Sequence, residues 1–533
     1  IVVLGIAVLL LRPQTADDWQ PEPTAPPAAW EQRFAADADA EPGCPGCSVL
    51  MISLDIFRPD HLPCMGYPRD TAPFICAMAE QGTLFERFIV HAYQTPISQM
   101  SIFTGRYPSS SGFVSFGSRL SPAVATLPEQ LQVQGYRTVA MGSSFEVMTD
   151  MASDQGGRGK FERQGLNPGL SFGRGFDRFV FTGNRNLPTD AIPWLRDQGQ
   201  EPFFLWLVLG TLHWPYGAHG DPALADMFDP PGYDGPLRDQ GRLGFEQLSR
   251  IHQGSLYDER SGGVTPLDEQ DLAYITARYD FGLWTVDRFL AELLAAMPPE
   301  QRERTLIVLH GIHGEDLGEH GYFGHYDVYD TEVSSALVIL DPGHRAQGVR
   351  VREQVEGVDL APTLLEILGL PALPDPDGSS FVSALRTGRG DPERRAFVER
   401  IPLWEDIFRL RAGMPPAYVE MIAGLMDSSL VGDTGLRTQR WKLLHRRARQ
   451  LEAQVSWWTY LTGQVVIRPE WELYDLQADP LETRDVLSEN LAVAAGLQAE
   501  LSAWEGRVAA RQVSAVEGGW GDPRLSLVVG GVP

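Results

Sequence analysis

"SVLMISLDIFRPDHL" (residues 48–62) is the stretch on which the fold class turns. Its first seven residues are apolar or small and do not alternate with polar positions; the run stops at Asp55 and a polar turn follows. A strand of this kind is covered on both faces, as in parallel sheets flanked by helices. The segments beyond it repeat the theme. "TAPFICAMAEQGTLFERFIV" reads as a helix and then a strand, and "TLPEQLQVQGYRTVAMGS" as a helix, Gly135 and a strand. "SQMSIFTGRYP" begins a short helix, with Pro108 and three serines as its stop. "EPFFLWLVLGTLHWPY" reads as an apolar strand ending at His213, and a long amphipathic helix in "DEQDLAYITARYDFGLWTVDRFLAELLAAM" leads to the strand "RTLIVLHG". The expectation is an α/β fold over residues 48–394, with a large, mostly parallel central sheet flanked by helices.

From 395 to 533 the pattern changes. "RTQRWKLLHR" and "WELYDLQADPLETRDV" read as short strands, and "ENLAVAAGLQAELSAWEGRVAARQ" as one amphipathic helix. This predicts a smaller C-terminal α+β subdomain with an antiparallel sheet. At the other end, residues 1–12 are an apolar run of eleven closed by Arg12, too short to span a bilayer. They read as the remnant of a signal peptide or membrane anchor, and 13–47 as a flexible Pro/Ala/acidic linker. The implied location is outside the cytoplasm, periplasmic or at the cell surface, with the N-terminal segment as a membrane tether. The net charge of −26 excludes nucleic acid as a partner. Cys44, Cys47, Cys64 and Cys76 allow three pairings, and neither spacing nor context chooses among bridges, reduced thiols or a zinc site. Oligomeric state leaves no mark in the sequence.

In open α/β sheets ligands bind beyond the carboxyl ends of the strands. Asp55 and His213 fall there, as does "LHGIHGEDLGEHGYFGHYDVYD" (309–330), which carries four of the eleven histidines and five acids. Thr95, opening the helix at "TPISQ", reaches the same edge. Its other reading is a helix N-cap.

These residues resemble the sulfatase family of the alkaline-phosphatase superfamily. "SLDIFRPDHLPCMGYPRDTAPFI" is similar to the family's first strand and turn, "TPISQMSIFTGRYP" to its nucleophile helix, "LHWPY" to its His-x-Pro element, and "HGIHGEDLGEHGYFGHYDVYD" to its metal loop. "VEGVDLAPTLLEILGLP" and "ELYDLQADPLETRDV" resemble two later family segments. The resemblance implies hydrolysis of sulfate or phosphate esters, small or carried on a glycan or lipid, at a divalent metal, calcium by family. It assigns Asp55 and His313 to the metal, Thr95 to the nucleophile, His213 and His325 to catalysis, and Arg106 and Gln99 to substrate binding.

Departures from the family pattern are concentrated in this site. Thr95 stands where the formylglycine precursor belongs, and the Cys-x-Pro-x-Arg signature is absent, so no formylglycine is expected. Gln99 replaces the supporting Arg, Ile56 a second Asp, and Ile312 the Asp before His313; His325 falls where the family has Lys. Calcium requires six or more oxygens. The matching positions offer one carboxylate, a threonine and a histidine, a set closer to what zinc or manganese accepts. Two functions therefore stand open: an ester hydrolase working through Thr95, and a catalytically inactive sulfatase-fold binding or scaffold protein.

Overall fold

The computed structural model describes residues 43–511 apart from 115–117, 144–160, 165–171, 183–186, 239–242, 249, 253, 259–262, 344–347, 401–431 and 448–467. The N-terminal segment 1–12 and most of the linker 13–47 lie outside the described residues. Among the described residues no helix is long and apolar enough to cross a membrane.

A ten-stranded sheet forms the centre. Across it the strands run 349–351, 83–89, 334–340, 305–311, 48–54, 203–209, 137–142, 178–181 and 161–164, with 355–356 also paired to 83–89. Ser48–Leu54 lies between Thr305–Gly311 and Phe203–Leu209 and is parallel to both. Arg137–Gly142 continues the parallel run. Ser334–Leu340 pairs antiparallel on both sides, so the sheet is mixed but mostly parallel. The middle strand shows why its sequence has no polar alternation. Val49 and Met51 enter one apolar cluster, while Leu50, Ile52 and Leu54 enter another on the opposite face. All five are fully buried. Each such side chain contributes about 1.5–3 kcal/mol relative to exposure.

The long helix Glu269–Ala295 begins at an Asp268 capping box, where the Asp268 carboxylate accepts from the Gln270 and Asp271 amides. Its buried Asp287 in turn accepts from the Phe74 and Ile75 amides, capping the first turn of the Pro73–Gln81 helix. Thr95–Thr104 is a helix that stops at left-handed Gly105, and Pro108–Ser111 is a helical turn of its own, where the sequence suggested only a stop. The strand expected to reach His213 ends at Leu209, leaving His213 in the loop beyond. The cysteines pair Cys44 with Cys47 and Cys64 with Cys76.

Ala396–Arg400, Asp433–Arg437, Trp441–His445 and Trp471–Asp475 form a separate four-stranded antiparallel sheet, and Leu491–Arg511 is the helix packed on it. Buried charges stitch this unit to the central domain. Lys442 bonds Asp330 at 2.8 Å and Glu482 at 3.0 Å, and Arg437 bonds Asp330 at 2.8 Å.

Candidate functional site

The site lies where three strand ends meet. The Ile312 amide donates to the Leu54 carbonyl (2.8 Å), the Phe57 amide to the His313 carbonyl (2.7 Å) and the Asp55 amide to the Leu209 carbonyl (3.0 Å). Asp55, the loop at 312–314 and the loop after Leu209 are thereby tied together by backbone. The Thr95–Thr104 helix is pinned to the same place by Ser98, whose hydroxyl donates to the Ile312 carbonyl at 2.5 Å.

At the centre, the Thr95 hydroxyl lies 3.1 Å from Asp55 Oδ1 and 3.0 Å from His313 Nε2. His313 Nε2 is also 3.0 Å from Asp55 Oδ1, closing a triangle. All three residues are buried. Thr95 is not the helix cap: Gln94 holds that position, and the hydroxyl is spent on the triangle. Burial alone would raise the Asp55 pKa, but the hydrogen bond and charge of His313, with the charges of His213 and His325, hold it well below the usual carboxylate range. Burial alone would lower the pKa of His313; its hydrogen bond to Asp55 and the Asp55 charge raise it instead.

Two more histidines stand against the triangle. The His325 ring centroid is 4.5 Å from that of His313 and 5.3 Å from that of His213. His325 Nδ1 meets Glu315 Oε2 at 2.6 Å, and the Tyr216 hydroxyl donates to the other Glu315 oxygen. The four residues are fully or almost fully buried except His213, which is partly exposed. The Nε2 of His213 has no hydrogen-bond partner among the described residues, and neither end of the fully buried Gln99 amide has one. Gln99 sits one helical turn beyond Thr95 on the same face, and helical side chains lean toward the N-terminus, which carries this amide toward the Thr95 end.

Arg106 is elsewhere. It follows the far end of the Thr95–Thr104 helix, about 15 Å along the chain's path from Thr95 at the helical rise, and pairs with Asp375 at 3.0 Å. The structure thus gathers Asp55, Thr95, His213, His313, His325 and the Gln99 helix face, and leaves Arg106 out. Sequence reasoning missed Glu315 and Tyr216 as the partners that orient His325. The only available signal was that both follow histidine motifs by a few residues.

Sulfatases typically bind a divalent metal, and the donor set here can be tested against one. Asp55 is the carboxylate it offers at the centre, bonded to Thr95 and His313. Ile56 and Ile312 are fully buried and enter apolar clusters on opposite faces of the sheet, so neither offers a donor. Ile56 also holds φ at +48°, a conformation that Asp or Asn adopts far more readily than a β-branched residue; the Tyr279 hydroxyl donates to its carbonyl (2.8 Å) and fixes it there. The nearby acids are engaged elsewhere: Asp316 with His320, Asp327 with Arg446 and Arg468, and Glu315 as above. Among the described residues no three His, Cys, Asp or Glu side chains converge as ligands of an ion. The residues present do not fit a hard divalent cation.

The buried acids also set a pH dependence. Burial pushes Glu315, Glu399 and Asp287 up to about 7. A carboxyl that keeps its proton to a higher pH when folded binds more protons folded than unfolded, so stability falls as pH rises toward its folded pKa. His313 and His320, raised by their carboxylate partners against the opposing effect of burial, lose stability in the same direction. His91 and His310, lowered to about 4 by burial, act only below the free-histidine value. The melting temperature is therefore expected to fall as pH rises from about 6.5, the free-histidine value, through about 7, where these carboxyls lose their protons. Circular-dichroism melts measure it, and a rise over that interval would contradict these assignments.

Comparisons with known proteins bear on the family and the fold. The alkaline-phosphatase superfamily protein PehA of Trinickia caryophylli, named as multifunctional, is 24% identical over 403 residues, 64% of this chain and 77% of that protein. Human arylsulfatase K is 24% identical over 436 residues, 78% of this chain and 74% of that protein. Among solved structures, the phosphonate monoester hydrolase of Agrobacterium radiobacter superposes with a TM-score of 0.64 at 22% identity, covering 87% of this chain and 96% of that one. BT4656, solved with its substrate D-glucosamine-2-N,6-O-disulfate, gives 0.60 at 18% identity over 88% of this chain and all of that one. The sulfatase family model matches residues 48–370, from the first strand of the sheet past the His313 loop. A chain with this sheet, this match and these strand-end residues belongs to the sulfatase family.

Proposed function

We propose that this chain hydrolyses sulfuryl or phosphoryl esters with Thr95 as nucleophile, and that it does so outside the cytoplasm. The observation that carries the reading is the Thr95 hydroxyl held between Asp55 and His313, at 3.1 and 3.0 Å. A hydroxyl so held has an acceptor for its proton and a neighbouring N–H to steady the charge that develops as the proton leaves. In this scheme Thr95 Oγ1 attacks the sulfur or phosphorus, and its proton passes to Asp55. The Gln99 amide and His213 donate to the non-bridging oxygens. His325, oriented by Glu315, protonates the departing alcohol oxygen. Water then attacks the threonyl ester in a second step, giving one proton back to His325, while the proton held by Asp55 returns to Thr95 Oγ1 as sulfate or phosphate leaves. No step is routed through a metal. The names of the structural neighbours suggest the substrates to try first, sulfated sugars and phosphonate monoesters.

A second reading has its own observation. Ile56 and Ile312 are fully buried in apolar clusters and bring no oxygen to Asp55, which supports a binding protein that keeps the fold without the chemistry. One assay separates the two. Purified protein is offered para-nitrophenyl sulfate, phosphate and phenylphosphonate across pH, with Asp55→Ala as the control. Release by the wild type that the variant lacks supports the hydrolase; no release from any ester leaves the binding protein.

A further inference from the structure

We infer that a second ligand site, apart from the Thr95 site, lies in the seam between the central domain and the C-terminal unit, and that it takes an uncharged, hydroxyl-rich molecule of the size of a sugar residue. The inference stands whether or not the chain hydrolyses esters.

The seam holds a cleft of about 470 Å³, within the range of small-molecule sites. The central domain contributes the tip of the hairpin that joins Asp316–Leu317 to Phe323–Gly324, with Glu319 and His320. The C-terminal unit contributes Arg468, Glu482 and Thr483. None of the residues gathered around Thr95 lines this cleft.

Each charged group of the lining already has its counter-charge. Arg58 bonds Glu319 at 2.8 Å, and Lys442 bonds Glu482 at 3.0 Å. Arg468 bonds Asp327, and His320 Nδ1 bonds Asp316. A charged ligand would shed its water here without meeting an unmatched charge, which is unfavourable. An apolar ligand would strand the polar walls. Pairing still leaves hydrogen-bonding capacity unused, because a carboxylate has more lone pairs, and a guanidinium more N–H groups, than one partner occupies. Acceptors on Glu319 and donors on Arg468 therefore face one cleft. A hydroxyl both donates and accepts, so a molecule dense in hydroxyls meets both. Tyr329 and Tyr474 also line the cleft and set ring carbon beside these groups, a surface for the C–H faces of a pyranose.

His320 gives the site a fixed point. Its side chain is 9% exposed, its Nδ1 is taken by Asp316, and its ring stacks on Tyr329 with centroids 3.7 Å apart and planes 4° from parallel. The ring is thus held from two sides. Its other nitrogen, Nε2, has no hydrogen-bond partner among the described residues. A buried polar nitrogen left unpaired is costly. A hydroxyl entering the cleft serves it in either protonation state, accepting from an N–H or donating to a lone pair.

Isothermal titration and saturation-transfer NMR with glucose, galactose, mannose and N-acetylglucosamine test the site directly. At least one of these sugars should bind with a Kd below about 10 mM, and Thr95→Ala should bind it as tightly as wild type. Two variants close the site. Thr483 is exposed, so Thr483→Trp fills the cleft from its rim at little cost to the fold. His320→Phe keeps the ring on Tyr329 and removes Nε2. Each should weaken binding about tenfold or more. No binding of any of the four sugars, wild-type affinity in either folded variant, or a tenfold loss in Thr95→Ala would each overturn the inference. So would tighter binding of sulfate or glucuronate than of the uncharged sugars, since the lining would then be one that selects charge.

Discussion

On the proposed hydrolase reading, Thr95→Ala is expected to abolish ester hydrolysis, lowering kcat by a factor of about 10³ or more while KM stays within a few-fold. The split follows from the geometry. The Thr95 hydroxyl is the one oxygen held jointly by Asp55 and His313, and both neighbours remain in the variant. The groups assigned to the non-bridging oxygens, Gln99 and His213, are untouched, so ground-state binding survives. The fold survives as well: the loss is one hydroxyl with its hydrogen bonds, costing about 1 kcal/mol. Thr95→Ser keeps the oxygen and loses only the methyl that restricts its rotamers, so it should retain a substantial part of the rate. Steady-state kinetics on the best ester of the panel, with near-ultraviolet dichroism as the folding control, measure both variants. A Thr95→Ala enzyme within tenfold of wild type would mean that water attacks directly and that Thr95 only orders Asp55.

What the sequence made legible, and what it hid, follows from the range of the contacts involved. The sheet was legible because a strand covered on both faces writes itself as an uninterrupted apolar run, as Ser48–Leu54 does. Asp55 and His313 could be placed because each directly follows such a run, and strand ends converge in a parallel sheet. Ile312 could be seen as a departure, yet its direction could not. Whether it fills the ion's place or the core beneath depends on tertiary packing, and it packs into the cluster with Ile97 and Met100 on the helix side of the sheet. Arg106 misled because a basic residue after Thr-Gly looks like part of the site. Its partner, Asp375, is 269 residues away in sequence, and no local pattern could announce it. Glu315 and Tyr216 were missed for the same reason: their pairing spans 99 residues, and only the folded chain brings Tyr216 behind the carboxylate that orients His325.

The largest loss of stability is expected at a residue outside the site. Arg446 is fully buried, and its guanidinium bonds Asp327, Glu472 at 2.8 Å and Asp433 at 3.5 Å. It also faces the Tyr329 ring with 5.2 Å from Cζ to the centroid. Three buried acids around one arginine are tolerated because its charge is shared among them; Asp327 is held well below the usual carboxylate range by Arg446 and Arg468 against the opposing effect of burial. Truncating the arginine leaves these charges with too little compensation. Breaking a buried pair in this way costs about 3–5 kcal/mol, so Arg446→Ala should lower the urea midpoint and melt roughly 3–5 °C below wild type. Arg446→Met separates charge from packing. It keeps most of the volume, and if it fails almost as badly as alanine, the uncompensated acids carry the cost. The effect should also reach the site. Asp327 lies two residues after His325, and its carboxylate, bonded by Arg446, ties the far side of the His325 loop to the C-terminal sheet, while its amide donates to Glu332 Oε2 at 2.7 Å within the central domain. Release of that anchor lets His325 swing from Glu315. On the hydrolase reading, Arg446→Ala assayed well below its melt should lose kcat for esters with poor leaving groups, whose departure needs the proton from His325, and lose less for aryl esters, whose departure does not. A variant within about 0.5 kcal/mol of wild type would mean that this charge cluster is solvated, and that the C-terminal sheet is not what holds the His325 loop in place.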